Sequence, residues 1–236
     1  MPRPEPDSPL SCALCVMAKA PLPGLAKTRL APVLGSTGAA EFAKHLVLHT
    51  QEICLQLAGE IDTQWCLSPE PYDPSWRASG LVFTVSRGQG DGDLGQRMGR
   101  IARDILEGYD AVLLIGCDCP SLSPDHLRQA VAALQQYDSV MIPALDGGYV
   151  LLGLRKYTAE VFRDINWGSE HVAAQTRTAL HKAGLEWVEL PPLRDIDDAG
   201  DLPHLPESLV QQLPPAQQQT IQRLDSKGST DAGLRG

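Results

Sequence analysis

The chain has 236 residues, with 29 acidic against 20 basic side chains and a formal charge of −9. That balance opposes general nucleic-acid binding, where Lys and Arg must replace phosphate counterions, and no run approaches the ~18 consecutive apolar residues of a membrane span. Six cysteines in a chain this long read as reduced, mostly buried thiols rather than a disulfide framework. The proline-rich opening, with Arg3, Glu5 and Asp7, is no secretory signal, so a cytoplasmic protein is expected.

Apolar runs of strand length alternate with helix-period stretches. Cys12 to Met17 predicts a buried strand, and Thr37 to Leu57 a helix carrying Phe42, Leu46, Ile53 and Leu57 on one face. Strands are expected at Thr63–Leu67, Leu81–Ser86 and Ala111–Gly116. Between the last two, Leu94, Met98, Ile101 and Ile105 recur with the amphipathic helical spacing. Ser123 followed by Pro124 predicts an N-cap and first-turn proline for a helix running to about Tyr137. Strands at Ser139–Pro143 and Val150–Arg155, a helix from Ser169 to Lys182 and a strand at Glu186–Leu190 follow. Strands separated by helices predict a single three-layer α/β/α domain around a mostly parallel sheet. Its expected limits are residues 11–205, between a disordered arm over 1–10 and a Gln/Pro-rich tail over 206–236 read as loose, with one frayed helix.

In open α/β sheets, ligands gather at the carboxyl ends of the strands, so the loops there carry the chemistry. After the first strand come Lys19, Gly24, Lys27, Thr28 and Arg29: three cations, a hydroxyl and a glycine in an acidic chain. Lysine supplies a mobile point charge and arginine a planar fork for two phosphate oxygens, which makes this loop a phosphate-binding candidate against the alternative of a solvated charged loop. It is not a P-loop: Ala26 stands where glycine is needed, and Pro21 and Pro23 remove two amides.

Gln89-Gly90-Asp91-Gly92-Asp93-Leu94-Gly95 contains a literal G-x-G-x-x-G after a strand and before a helix, the dinucleotide-binding template of a dehydrogenase. Asp91 and Asp93 beside a pyrophosphate would repel it, and the motif sits in mid-chain. A loop shaping a base or ribose site is the better reading. Asp118, at the tip of the strand Ala111–Gly116 and flanked by Cys117 and Cys119, is placed to hold magnesium, which takes one or two carboxylates plus substrate phosphates. The alternative is a turn cap. Asp195, Asp197, Asp198 and Asp201 crowd one segment, where a second metal carboxylate could lie and at least one helix-capping aspartate is expected. Asp146-Gly147-Gly148-Tyr149 reads as a tight turn whose glycines would also admit a sugar or acceptor, with Trp167 as a further contact. Cys12 and Cys15 form a C-x-x-C, but on a strand they point to opposite faces, which counts against a thiol metal or redox site.

Taken in order, Met17 to Leu30, Gly90 to Met98, Gly116 to Leu122, Asp146 to Tyr149 and Asp195 to Leu202 resemble the DUF2064 group of the nucleotide-diphospho-sugar transferase superfamily. The resemblance covers about Ser11 to Leu205. It implies a GT-A fold and glycosyltransferase activity, with links to arsenosugar pathways. Similarity to phospholactate guanylyltransferases and molybdenum-cofactor nucleotidyltransferases, notably at Lys27-Thr28-Arg29, implies nucleotidyl transfer instead.

By that resemblance, the first loop wraps the nucleotide phosphates and the segment with Gln89, Gly90 and Gly95 holds the nucleoside. Asp118 binds Mg2+ or Mn2+ with a second acid near the C-terminus. The family pattern puts that acid at Asp197, with Asp195 and Asp198 as alternatives, because Asp198 and Ala199 depart from the usual residues. Lys27, Arg29 and Asp118 are then the expected catalytic residues. The expected partners are an NTP or NDP-sugar and a small-molecule acceptor, with no nucleic acid and no membrane, and with a homodimer to be tested for. A nucleotide-binding regulatory protein without catalysis is the rival from another class.

Overall fold

The computed structural model describes residues 10–232, with side chains through residue 226; the expected N-terminal arm lies almost entirely outside them. Seven strands form one sheet in the order β3-β2-β1-β4-β6-β5-β7. They are β1 (Cys12–Lys19), β2 (Asp62–Ser68), β3 (Ser86–Gly88), β4 (Ala111–Ile115), β5 (Ser139–Pro143), β6 (Tyr149–Leu154) and β7 (Trp187–Glu189). The pairs β1–β2, β1–β4, β2–β3 and β5–β7 are parallel, whereas β6 runs antiparallel to both β4 and β5. The tight turn between β5 and β6 explains the reversal: a connection of a few residues permits only an antiparallel neighbour.

The helices are α1 (Ala31–Leu55), α2 (Pro74–Ser79), α3 (Leu94–Ile105), α4 (Pro124–Leu134), α5 (Val172–Lys182), α6 (Glu207–Val210) and α7 (Pro215–Ala232). None among the described residues is long and apolar enough to cross a membrane. Along β1, side chains alternate between two cores, as a period of two requires. Cys12, Leu14 and Val16 join α1 and α4 on one face, and Ala13 and Cys15 join α3 and α5 on the other. The expected three layers are therefore present.

Local chemistry sets the ends of the helices. Asp93 caps α3 in a reciprocal capping box with Gln96, and Ser123 caps α4 ahead of Pro124, with His126 closing the box. The expected strand over Leu81–Ser86 is instead a loop leading into the three-residue β3. Phe83 packs against Trp65, tilted, and against Trp76, edge to face, with ring centroids 4.8 and 5.2 Å away. The helix expected from Thr37 begins earlier, at Ala31, and passes a non-helical Gly35.

The described part of the segment expected to be a loose tail packs against the domain. Leu205, Leu209, Leu213 and Ile221 pack on Leu30, Phe42 and Leu46 of the α1 side, forming a third core that also takes in Ile196 and Leu202. Gln217 adds hydrogen bonds from its amide to the Gly38 carbonyl and the Glu41 carboxylate, both at 3.2 Å. Apolar residues are sparse in this segment, but they fall where the outer face of α1 needs covering.

Candidate active site

The chain runs from β1 outward to β2 and β3, then returns to place β4 on the other side of β1. That reversal opens a crevice at the carboxyl ends of β1 and β4, where ligands bind in such sheets. A cavity of about 450 Å³ lies there. The β1 loop lines it with Lys19, Lys27, Thr28 and Arg29, the β4 loop with Asp118, the β5–β6 turn with Asp146, Gly148 and Tyr149, and later loops with Trp167 and Asp197.

Lys27 is the hub. It adopts a left-handed backbone conformation with φ 46°, uncommon for a residue other than glycine, asparagine or aspartate. Its side chain is only 8% exposed, and its ammonium sits 2.6 Å from Asp118 Oδ1 and 2.8 Å from Asp197 Oδ1. A third bond of 2.6 Å goes to the carbonyl of Ile196, which uses all three ammonium hydrogens. Burial opposes the charge most strongly of any single influence, yet the two carboxylates together outweigh it and hold the lysine above its ordinary pKa. The Ile196 amide donates to the Asp118 carbonyl at 2.8 Å, which brings the C-terminal acids alongside the β4 loop.

The aspartates divide into two kinds. Carboxylate oxygens of Asp146, Asp195 and Asp197 all lie within 4.8 Å of one another. Asp195 is pushed up to about 6, by burial first and then by Asp146 and Asp197. Asp198 and Asp201 are structural instead. Asp198 accepts from the Gly200 amide at 2.7 Å, and Asp201 accepts from the amides of Asp197 and Asp198 and from Arg194. Of the three acids considered for a second metal ligand, Asp195 and Asp197 belong to this group and Asp198 does not. The expected pairing of Asp118 with Asp197 around a metal is altered: Lys27 stands between them, and Asp197 groups with Asp195 and Asp146. Three hard oxygen donors, one carrying an unfavourable charge that a cation would relieve, fit a hard divalent cation.

The β5–β6 turn is fixed from two sides. Asp146 Oδ1 accepts from the Gly148 amide at 2.8 Å, and the Gly147 carbonyl accepts from the Ala173 amide at 2.9 Å. Gly147 has φ 95°, and a Cβ there would come within 2.1 Å of the Glu170 carbonyl oxygen. Gly147 therefore builds the turn from behind the cavity. Tyr149 and Trp167 meet edge to face with centroids 6.4 Å apart. The Tyr149 hydroxyl has the Met98 sulfur as a partner at 3.8 Å, and burial raises its pKa.

The glycine-rich segment is tied to the sheet and to α3. Gln89 is buried, and its amide donates to the carbonyls of Ala18 at 3.1 Å and Cys66 at 2.8 Å, so it braces β1 against β2 instead of facing a nucleoside. Arg100 donates to the carbonyls of Gln89 and Asp91, and Arg97 to that of Gly92. A Cβ on Gly90 would fall 2.1 Å from the Arg100 guanidinium, and one on Gly95 would fall 2.5 Å from the Trp167 indole nitrogen. Gly90 has φ 69°, and Gln89, Gly90 and Gly95 are not among the residues lining this cavity; Gly24 is exposed in open space on the first loop. Asp93 occupies the N-terminus of α3 as its cap, which removes the dinucleotide reading of this motif, since a pyrophosphate would need that place.

Cys12 and Cys15 are both buried, in cores on opposite faces of the sheet, so they cannot share an ion. Burial pushes Cys12 up to about 12 and Cys119 to about 11. Sequence reasoning missed Met17, Leu25, Leu94 and Val47, which complete the cavity wall. Leu25 offered a signal in the sequence, a large apolar side chain in the middle of a cationic loop.

The fold and this crevice define the class: the nucleotide-diphospho-sugar-transferase-like α/β proteins. A protein of Desulfovibrio desulfuricans G20, provisionally described as a nucleotide-diphospho-sugar transferase, is 34% identical with a TM-score of 0.75, the match covering 82% of this chain and 84% of that one. The family model described as "uncharacterized protein conserved in bacteria (DUF2064)" matches residues 53–169. The chain belongs to the DUF2064 family. Its fold is shared at 12% identity and TM-score 0.55 by a CMP:2-keto-3-deoxy-manno-octonic acid synthetase complexed with CTP, over 86% of this chain and 100% of that one. A cytidylyltransferase of Leptospira borgpetersenii shares it at 15% identity and TM-score 0.50, over 93% and 96%. No curated protein matches the chain.

Proposed function

We propose that this protein is a divalent-metal-dependent transferase whose donor is a nucleotide carrying a di- or triphosphate and whose acceptor is a small molecule. The observation that carries the reading is the meeting of Lys19, Lys27 and Arg29 with Asp118, Asp146 and Asp197 in one crevice, with Asp195 beside the last two. A chain of charge −9 has little reason to gather cations at a strand end unless an anion is held there. The cytoplasm, where nucleotides are abundant, is the compartment this reading requires.

Asp195 and Asp197, with Asp146 in reach, would hold Mg2+ or Mn2+. The ion, when bound, neutralises charge developing on the phosphates as the leaving group departs. Everything else falls to the protein. Lys19 and Arg29 bind and orient the phosphates, the aromatic pair Tyr149 and Trp167 walls off the acceptor side, and the fixed β5–β6 turn sets the distance between donor and acceptor. In nucleotidyl transfer, an acceptor oxygen attacks the α-phosphorus and the bond to pyrophosphate breaks. In glycosyl transfer, it attacks the anomeric carbon and a nucleoside diphosphate leaves. Both reactions rely on positioning and charge stabilisation.

A thermal-melting screen of four NTPs and common NDP-sugars with magnesium, manganese or EDTA tests the reading. Ligand at about 100 Kd adds roughly 2.7 kcal/mol of stability. A metal-dependent rise with an NTP assigns nucleotidyl transfer, and one with an NDP-sugar assigns glycosyl transfer; arsenosugar-type acceptors then join the product screen. Asp118→Asn, which takes from Lys27 one of its two carboxylate partners, is expected to cut turnover sharply with the fold intact. A protein whose melting ignores every nucleotide in the presence of metal is not this enzyme.

A further inference from the structure

Lys27 raises a question that the proposed function leaves open. A phosphate-binding lysine should have hydrogens free for phosphate, but this ammonium gives all three to Asp118, Asp197 and the Ile196 carbonyl. Asp197 is also shared, because it belongs to the Asp146–Asp195–Asp197 group as well. A carboxylate drawn fully toward a divalent ion loses most of its value to a lysine on its other side, since two cations sharing one carboxylate repel each other.

We infer that Lys27 is the resident counter-cation of this site and exchanges with an incoming metal–polyphosphate complex: metal takes Asp197, and the released ammonium passes to the phosphates. The inference rests on the metal-dependent reading above. No covalent bond changes in the exchange, and the charge balances because the polyanion brings the negative charge that Lys27 gives up. Lys27 sits on the same loop as Thr28 and Arg29, which line the cavity and are exposed, so the ammonium has phosphate-binding neighbours to join. Its left-handed backbone stands between buried Ala26 and exposed Thr28, where the chain passes from the interior to the cavity rim.

Coupled binding follows. Metal alone must displace Lys27 without compensation, and polyphosphate alone finds the lysine engaged. Together they remove both obstacles, which is positive coupling between two ligands. The site thereby selects a metal chelate of a polyphosphate over either component.

The test uses the full chain with Mn2+ and inorganic pyrophosphate as probes, which removes the unknown base. Mn2+ on the protein is followed by water-proton relaxation, and pyrophosphate binding by calorimetry with Mn2+ or EDTA. In the wild type, each probe is expected to tighten the other by about tenfold or more. In Lys27→Met, Mn2+ alone should bind about tenfold more tightly than in the wild type, and the coupling should fall to what direct contact between Mn2+ and pyrophosphate supplies. Lys27→Asn, which tolerates the left-handed backbone, gives the same comparison if the methionine variant does not fold. Unchanged or weaker Mn2+ binding in these variants overturns the exchange and leaves the metal-dependent reading standing. Additive binding of the two probes in the wild type does the same. Mn2+ that binds no form of the protein, with or without pyrophosphate, overturns both.

Discussion

Asp195 is a carboxylate held next to two others, and its raised value has a sign that can be checked. Because its folded pKa, about 6, lies above that of an unfolded aspartate, about 3.9, its favourable contribution is complete below the unfolded value. That contribution is lost as pH rises through about 6. In metal-free protein, Asp195→Asn should therefore raise the urea midpoint at pH 7.5 and leave it little changed at pH 4. Metal reverses the preference, because only the carboxylate form ligates. The stabilisation by Mg2+ or Mn2+ should be full at pH 7.5 and fade as pH falls through about 6; equal metal-induced melting shifts at pH 5 and pH 7.5 would count against Asp195 as a ligand. Gly147 gives a second residue-scale expectation. Alanine there meets a backbone carbonyl at 2.1 Å and an unfavourable φ, so Gly147→Ala should cost on the order of 1–3 kcal/mol in urea unfolding. It should also weaken acceptor use, because the turn carrying Asp146 must move.

At the scale of elements, α3 shows how a local rule settles a functional question. Asp93 accepts from the Gln96 amide at 2.8 Å, and Gln96 reciprocates at 3.1 Å. Asp93→Ala should cost about 1 kcal/mol and leave the metal-dependent response to nucleotides unchanged, since Asp93 is outside the cavity lining. Nucleotide affinity that collapses in this variant, with stability preserved, would return the glycine-rich loop to the binding site. The loop was read from its residue types as a nucleoside contact. Nothing in its spacing revealed that Gln89 would turn inward to β1 and β2 or that Arg97 and Arg100 would bind its carbonyls from below. Those bonds depend on where α3 lies against the sheet, which composition does not encode.

At the scale of the molecule, the third core links the end of the chain to the site. Ile196, between the two site acids Asp195 and Asp197, is buried with Leu202, Leu209 and Leu213. Ending the chain after Leu205 would remove α6 and α7 and uncover Phe42 and Leu46. Such a truncation should melt well below the full chain and lose the metal-dependent shift along with the stability. A truncated protein that keeps the full shift would show that the acids hold their place without this core.

Much of the architecture was written in the periodicities. The buried strand at Cys12, the Leu94-to-Ile105 stripe and the Ser123-Pro124 helix start are local patterns, and each element they specify formed. Charge chemistry likewise marked the Lys27-Thr28-Arg29 loop, Asp118 and the C-terminal aspartates as exceptional. Three matters were decided only by tertiary structure. The pairing of β6 with β4 follows from the order of strands in space, and the packed C-terminal segment follows from an uncovered face of α1 far away in sequence. The partners of Lys27 lie 91 and 170 residues away in the chain, so only folding could bring them within one hydrogen bond. Periodicity records what a residue does with its near neighbours, whereas a site is made by residues whose separation along the chain carries no information about their distance in space.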